Sequence, residues 1–141
     1  MSRPSFPGVT IARRRNMQAN RSKNTKPELL VRRYLHANGF RYRLHRRDLP
    51  GSPDITLAKF RSVVEVRGCF WHGHGCKLGK LPSARQDYWH SKIVATKARD
   101  EANRAALEAA GWRVIEVWEC SLREAPDSKL AEVHRALKAR F

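Results

Sequence analysis

Apolar side chains recur along this chain at two different spacings, and each change of spacing marks a new element. Leu30, Val31, Tyr34 and Leu35 follow one another at three and four residues, the stripe of an amphipathic helix. Thr25-Lys26-Pro27-Glu28 just before them predicts its start, with Thr25 as N-cap, Pro27 in the first turn and Glu28 closing a capping box. Gly39 supplies the left-handed residue that ends it after Asn38. From Phe40 to Leu44 the period shortens to two, apolar residues alternating with Arg41 and Arg43, which predicts a half-buried strand with a cationic outer face. After the turn Leu49-Pro50-Gly51-Ser52-Pro53 come two short strands, about 54–58 and 61–67, joined through Lys59-Phe60. An alanine-rich helix is predicted over about 86–110, closing at Gly111, with Trp89, Ile93, Thr96, Asp100 and Leu107 on one face. Val114–Trp118 is an apolar strand after that helix, so a crossover should lay it parallel to the 61–67 strand. A last helix over about 127–140 carries Leu130, Val133 and Leu137 on its buried side. The class is α/β, a mixed sheet flanked by helices, with no internal repeat.

The strand pair has a chemical consequence. If Ala58 faces Arg61 across a two-residue turn, counting back sets Asp54 opposite Glu65 on one face, with Cβ atoms about 5 Å apart. Arg67, two residues beyond Glu65, shares that face. Two facing carboxylates repel unless a cation lies between them, so the pair is a candidate site for a hard divalent metal such as magnesium. Asp100 points inward from its helix and needs a partner there, Arg67 or a histidine. The plainer reading of Asp100 is a structural salt bridge, and that of Glu28 is its capping box.

Charge narrows the class of partner. With 29 Lys+Arg against 13 Asp+Glu, the 141 residues have a formal net charge of +16, which points to nucleic acid. The basic residues are spread along the chain and not gathered beside an apolar anchor, so a membrane surface fits poorly. No apolar run reaches the length of a membrane span, and no secretory signal opens the chain, so a cytoplasmic protein is expected. Residues 1–24, with Arg13-Arg14-Arg15 and few large apolar side chains, read as a flexible basic arm that lies on phosphates. Residues 25–141 read as one domain.

Arg67-Gly68-Cys69-Phe70-Trp71-His72-Gly73-His74-Gly75-Cys76 concentrates the remaining chemistry. It holds two of the three cysteines in a Cys-x4-His-x-Cys pattern, and thiolate with imidazole is a ligand set that zinc prefers. Cys120 completes a set of four, while spacing does not choose between His72 and His74. The competing readings are small buried hydrophobes or a disulfide. The histidine left over is free for proton transfer, with Asp100 to orient it. Phe70, Trp71 and Trp89 read as the aromatics outside the core, ready to stack on bases or wedge between them, although a small core around the zinc explains them as well.

Several motifs in one register resemble a known family. Leu49-Pro50-Gly51-Ser52-Pro53-Asp54, Gly68-Cys69-Phe70-Trp71-His72, His74-Gly75-Cys76, Gly111-Trp112-Arg113-Val114 and Val117-Trp118-Glu119-Cys120 are similar, in order, to the very short patch repair (Vsr) endonucleases. The resemblance implies a restriction-endonuclease-like fold of the PD-(D/E)XK type with a structural zinc. It also implies magnesium-dependent nicking of DNA on the 5′ side of the thymine in a T·G mismatch. It makes Asp54 the magnesium-binding aspartate, with the main-chain carbonyl of Val66 as a further ligand, and His72 the general base. Zinc is then left with Cys69, His74, Cys76 and Cys120. Glu28 and Asp100 match supporting acidic positions, and Phe70, Trp71 and Trp89 match intercalating aromatics. The sequence departs from the family at Arg67, where a histidine is usual, and at Glu65, where an apolar residue is common. Glu65-Val66-Arg67 looks instead like the acidic-x-basic half of the wider nuclease motif. An arginine there can hold a phosphate or stabilise a leaving oxyanion but cannot shuttle protons. The expected partners are duplex DNA with a T·G mismatch and other mismatch-repair proteins, for a monomer working on the nucleoid. The alternatives are a non-catalytic zinc-containing DNA-binding module for distorted duplex, and a related nuclease of relaxed specificity. Facing acids argue against the pure binder, which has no use for them where phosphate must approach.

Overall fold

The computed structural model describes residues 24–139; the expected arm over 1–24 lies outside them except for Asn24. Helix α1 is Lys26–Ala37, with Thr25 as the predicted N-cap: the Glu28 amide donates to Thr25 Oγ1 at 3.4 Å and Gly39 takes φ +80° beyond the C-terminus. The sheet contains β1 (Arg43–Leu44), β2 (Ile55–Leu57), β3 (Ser62–Arg67) and β4 (Arg113–Trp118), in the order β1-β2-β3-β4. The first two neighbouring pairs are antiparallel and β3 with β4 is parallel, reached through the long helix α2 (Gln86–Ala109). Short helix α3 (Glu119–Glu124) follows β4 and precedes α4 (Pro126–Lys138).

Alternation along the strands divides the core into two layers. On one side Ile55, Leu57, Val64 and Val117 pack with Val31 and Leu35 of α1 and with Leu130, Val133 and Leu137 of α4. On the other, Val63 packs with Leu107 of α2 and with Trp112. Because side chains two apart in a strand share a face, Glu65 and Arg67 lie on the α2 side with Val63.

Three details differ from the sequence expectation. The first strand is two residues, not five, because Phe40 still closes the helix: its amide donates to Leu35 O at 3.0 Å while its ring enters the core. The β2–β3 connection is longer than two residues, with a 3-10 turn at Ala58–Phe60 and Arg61 left-handed at φ 49°. Packing favours this longer turn, since it sets Phe60 against Phe40 at 5.5 Å and Arg61 over Trp112 at 4.7 Å. The register survives, because Ile55 pairs with Val64 and the next step outward sets Asp54 opposite Glu65. The third difference is α3, whose Leu122 is drawn into the core just after Cys120.

Candidate active site and metal centre

Asp54 stands immediately before β2, and the antiparallel pairing holds it against β3. The Asp54 amide donates to Glu65 Oε1 at 3.0 Å, and the Val66 amide donates to Asp54 Oδ2 at 2.8 Å. Burial, then the negative charge of Glu65, push the Asp54 carboxyl up to about 7, although the Val66 N–H pulls the other way. Burial also raises Glu65, against the opposing charge of Arg67. Two acids this reluctant to ionise together form a site short of positive charge.

Helix α1 brings a third carboxylate. Its first turn buries Glu28, whose Oε2 accepts from Arg32 Nη1 at 3.2 Å while Oε1 lies 3.1 Å from His45 Nε2. The carboxylate is thus spent on side chains rather than turned back to close a capping box. Ligand atoms of Glu28, His45 and Asp54 all lie within 4.8 Å of one another.

The inward face of α2 brings Asp100 to the same place. Its Oδ2 accepts from His72 Nδ1 at 2.6 Å and from Arg67 Nη1 at 2.7 Å. These two donors converge on one oxygen, which is why they sit 3.3 Å apart. Burial pushes the Asp100 carboxyl up, but the hydrogen bond and charge of His72, with those of Arg67, outweigh it and hold the group below its usual range. A histidine that donates from Nδ1 to a carboxylate has its free lone pair on Nε2, the arrangement of a general base. Arg67, 5% exposed, is further flanked by Glu65 at 3.9 Å and Glu116 at 4.0 Å. A cavity of about 190 Å³ is lined by Glu28, Asp54, Glu65, Arg67, His72 and Asp100.

Beyond β3 the chain doubles back, the His74 amide donating to Cys69 O at 2.9 Å. At the bend Gly73 has φ +63°, and a side chain there would meet Ile93 and Lys97 of α2. The parallel pairing of β4 with β3 carries Cys120 to the same end of the sheet. Ligand atoms of Cys69, His74, Cys76 and Cys120 lie within 4.8 Å of one another, and none of the cysteines is in a disulfide. Cys120 Sγ is 3.5 Å from His74 Nδ1. A tetrahedral zinc with bonds of about 2.3 Å to sulfur and about 2.05 Å to nitrogen has an S···N edge of about 3.5 Å, so the four residues fit that ion. Burial tends to raise the Cys76 thiol, yet hydrogen bonds from His74, Cys69 and the Gly79 and Leu78 amides bring it down to about 7, close to the thiolate that zinc requires. The two histidines lie apart: His74 is with the cysteines, stacked on Trp118 at 4.2 Å, while His72 turns to Asp100.

The aromatics lie differently from the expectation. Trp71 and Trp89 are 4% and 2% exposed, and Phe70 is half-buried. Their rings meet edge to face at 5.0, 5.2 and 5.7 Å, a small cluster beside the cysteine loop and not a set of bare rings. Mutual contact removes more apolar area from water than exposure would leave, which is the physical reason.

Comparison with known proteins agrees with this geometry. A family model described as DNA mismatch endonuclease Vsr matches residues 10–78. The chain is 58% identical over 112 residues to the type II nicking enzyme V.XorIIP of Xanthomonas oryzae pv. oryzae, covering 79% of this chain and 82% of that protein. It is 39% identical over 111 residues to the DNA mismatch endonuclease Vsr of Escherichia coli, covering 79% and 71%. This chain belongs to the Vsr family of DNA mismatch endonucleases.

Its substrate is therefore DNA and its reaction an endonuclease's. Among the described residues no helix is long and apolar enough to cross a membrane. For a Vsr-family protein the sequence reading overlooked three neighbours of the site. His45 sits in a left-handed turn at φ 49°, and Glu116 and Arg104, paired at 2.6 Å, brace Arg67 from β4 and α2. No periodicity singles out His45. Arg104 is exposed on α2 and Glu116 half-buried on β4, so no spacing within either element pairs them.

Proposed function

We propose that this Vsr-family endonuclease nicks one strand on the 5′ side of the thymine in a T·G mismatch, by magnesium-dependent hydrolysis on a restriction-endonuclease-like frame tied by zinc. The observation that carries the reading is the His72–Asp100 pair, 2.6 Å long, opening into the same cavity as Asp54 and Glu65. A base with its orienting acid, beside acids short of a cation, is the equipment for metal-assisted phosphodiester hydrolysis.

Asp54 and the main-chain carbonyl of Val66 would hold the magnesium, Glu65 and Glu28 adding negative charge around it. When bound, that ion offsets charge on the phosphate and makes coordinated water more acidic. His72 takes the proton of the attacking water at Nε2, and ionised Asp100 stabilises the imidazolium that results. As the water oxygen bonds to phosphorus, the bond to the leaving oxygen breaks. Arg67 cannot accept a proton, and its place against Asp100 suits it to keep that carboxylate ionised and the imidazole aimed. Cys69, His74, Cys76 and Cys120 would hold zinc and so pin the His72 loop to the end of β4. Phe70, Trp71 and Trp89 would meet the mismatch as a wedge, a role that requires their cluster to open. The protein acts as a monomer, with other mismatch-repair proteins as partners, in the cytoplasm on the nucleoid, where its substrate lies.

The test is incubation with magnesium and either perfect or T·G-containing duplex, the products mapped to the nucleotide. A single nick 5′ of the mismatched thymine, absent from perfect duplex and from Asp54→Ala, is the expected result. Equal cutting of both duplexes would replace this reading with a nuclease of relaxed specificity.

A further inference from the structure

A second groove, of about 430 Å³, opens at the other end of β2 from the acids. Arg41, Arg43, Arg46, Lys59 and Lys138 line it, and among the described residues no carboxylate does. Four arginines elsewhere meet acids: Arg32 with Glu28, Arg67 with Asp100, Arg104 with Glu116, Arg123 with Glu119. In the groove Arg46 pairs with exposed Asp48, whose carboxyl also feels the charge of Arg43; among the described residues Arg41, Lys59 and Lys138 form no ion pair. The two lysines gather on one ring instead, Lys59 Nζ 5.7 Å and Lys138 Nζ 5.4 Å from the centre of Phe60. Like charges brought together with a single exposed acid among them raise the free energy of the protein unless a further anion joins them.

Thr56 supplies an independent sign. It lines the groove opposite Arg43 in the β1–β2 register, is 2% exposed, and its hydroxyl has no hydrogen-bond partner among the described residues. A buried hydroxyl without a partner costs free energy until a water or ligand oxygen joins it. Directly paired residues point to one face, as do residues two apart in a strand, so Arg43, Thr56 and Asp54 share a face of the sheet. From Asp54 to Ala58 is four residues, about 13 Å along an extended strand, or about four nucleotides of duplex.

We infer that this groove is a second DNA-backbone site, which holds phosphates about four nucleotides from the scissile one on the same duplex. It rests on the endonuclease reading only for the place of the nick. The groove sets where the duplex lies across Asp54 and takes no part in the bond change.

The experiment measures the affinity of wild type and of the triple variant Arg41→Ala, Arg43→Ala, Lys59→Ala for perfect and T·G duplexes at several salt concentrations, with single-turnover nicking at saturating enzyme. Loss of three phosphate contacts should lower the slope of log K against log salt by about 2.7 on both duplexes, with the saturated nicking rate unchanged. An unchanged slope in a folded variant, or an unchanged slope with a slower saturated rate, overturns the site. Thermal unfolding checks the fold. If the triple variant does not fold, phosphate-ethylation interference on the wild type decides: a block about four nucleotides from the nick supports the groove, and none there overturns it. A wild type that binds both duplexes with the steep slope yet nicks neither at the mismatch would instead remove the proposed reaction and leave the groove standing.

Discussion

The cysteine cluster and the carboxylate cavity lie a few residues apart, and they are built to opposite rules. The first is closed: four soft ligand atoms converge from two loop segments and the start of α3. The second is open and lined by charge, with Asp54 pushed up to about 7 by burial and by Glu65. A closed set of ligands contributes folding free energy, whereas an unfinished one keeps places for water and substrate. The histidines display the division most clearly. His72 and His74 are two residues apart, yet one faces Asp100 and the other the cysteines, because Gly73 between them turns the chain at φ +63°.

The largest effect that could break this comparison comes from the closed site. Structural zinc supplies roughly 10–16 kcal/mol in small peptides, so Cys120→Ala should lower the melting temperature more than any change in the cavity. Metal analysis alongside the melt checks it, and full zinc content in folded Cys120→Ala would remove Cys120 from the ligand set.

The open site should fail in the other way. Asp54→Ala should abolish nicking with DNA affinity kept, since few phosphate contacts are lost, and His72→Ala should lower turnover by ~10²–10⁴ with zinc retained. Single-turnover kinetics with zinc analysis read both; zinc lost from His72→Ala and kept in His74→Ala would reverse the two roles.

The aromatic cluster lies between the regions and tests where recognition belongs. Trp71→Ala should reduce the preference for T·G over perfect duplex by ~1–3 kcal/mol, the worth of one stacked ring. Because Trp71 is buried, the ratio of the two affinities is the readout, taken on protein of checked zinc content. An unaltered ratio would move recognition from the wedge to hydrogen bonds with the wobble pair.

The smallest effect is in pH. Asp54 is raised, so without metal its protonated form favours the fold; that contribution is full below about 3.8 and is lost as pH rises through about 7. Magnesium competes with the same proton, so its affinity should rise about tenfold between pH 6 and pH 8. Calorimetric titration at the two values checks the sign, and equal affinity would show that no proton on Asp54 competes with magnesium in this range.

Much of this protein was legible before folding was considered. Thr25, Pro27 and Gly39 bound α1 because caps and left-handed turns are local demands of the backbone. Asp54 could be set opposite Glu65 by counting, since strand pairing preserves register even when the turn between the strands grows from two residues to four. Residue types alone marked Cys69, Cys76 and Cys120 as candidate metal ligands, and the charge of +16 pointed to a polyanion. What only the tertiary structure decided was where side chains from distant segments meet: His74 and not His72 beside Cys120, His45 against Glu28, Trp71 and Trp89 folded inward, Lys59 and Lys138 gathered on one ring. Those choices depend on packing and on charges summed over several elements, so no spacing within one stretch of chain contains them.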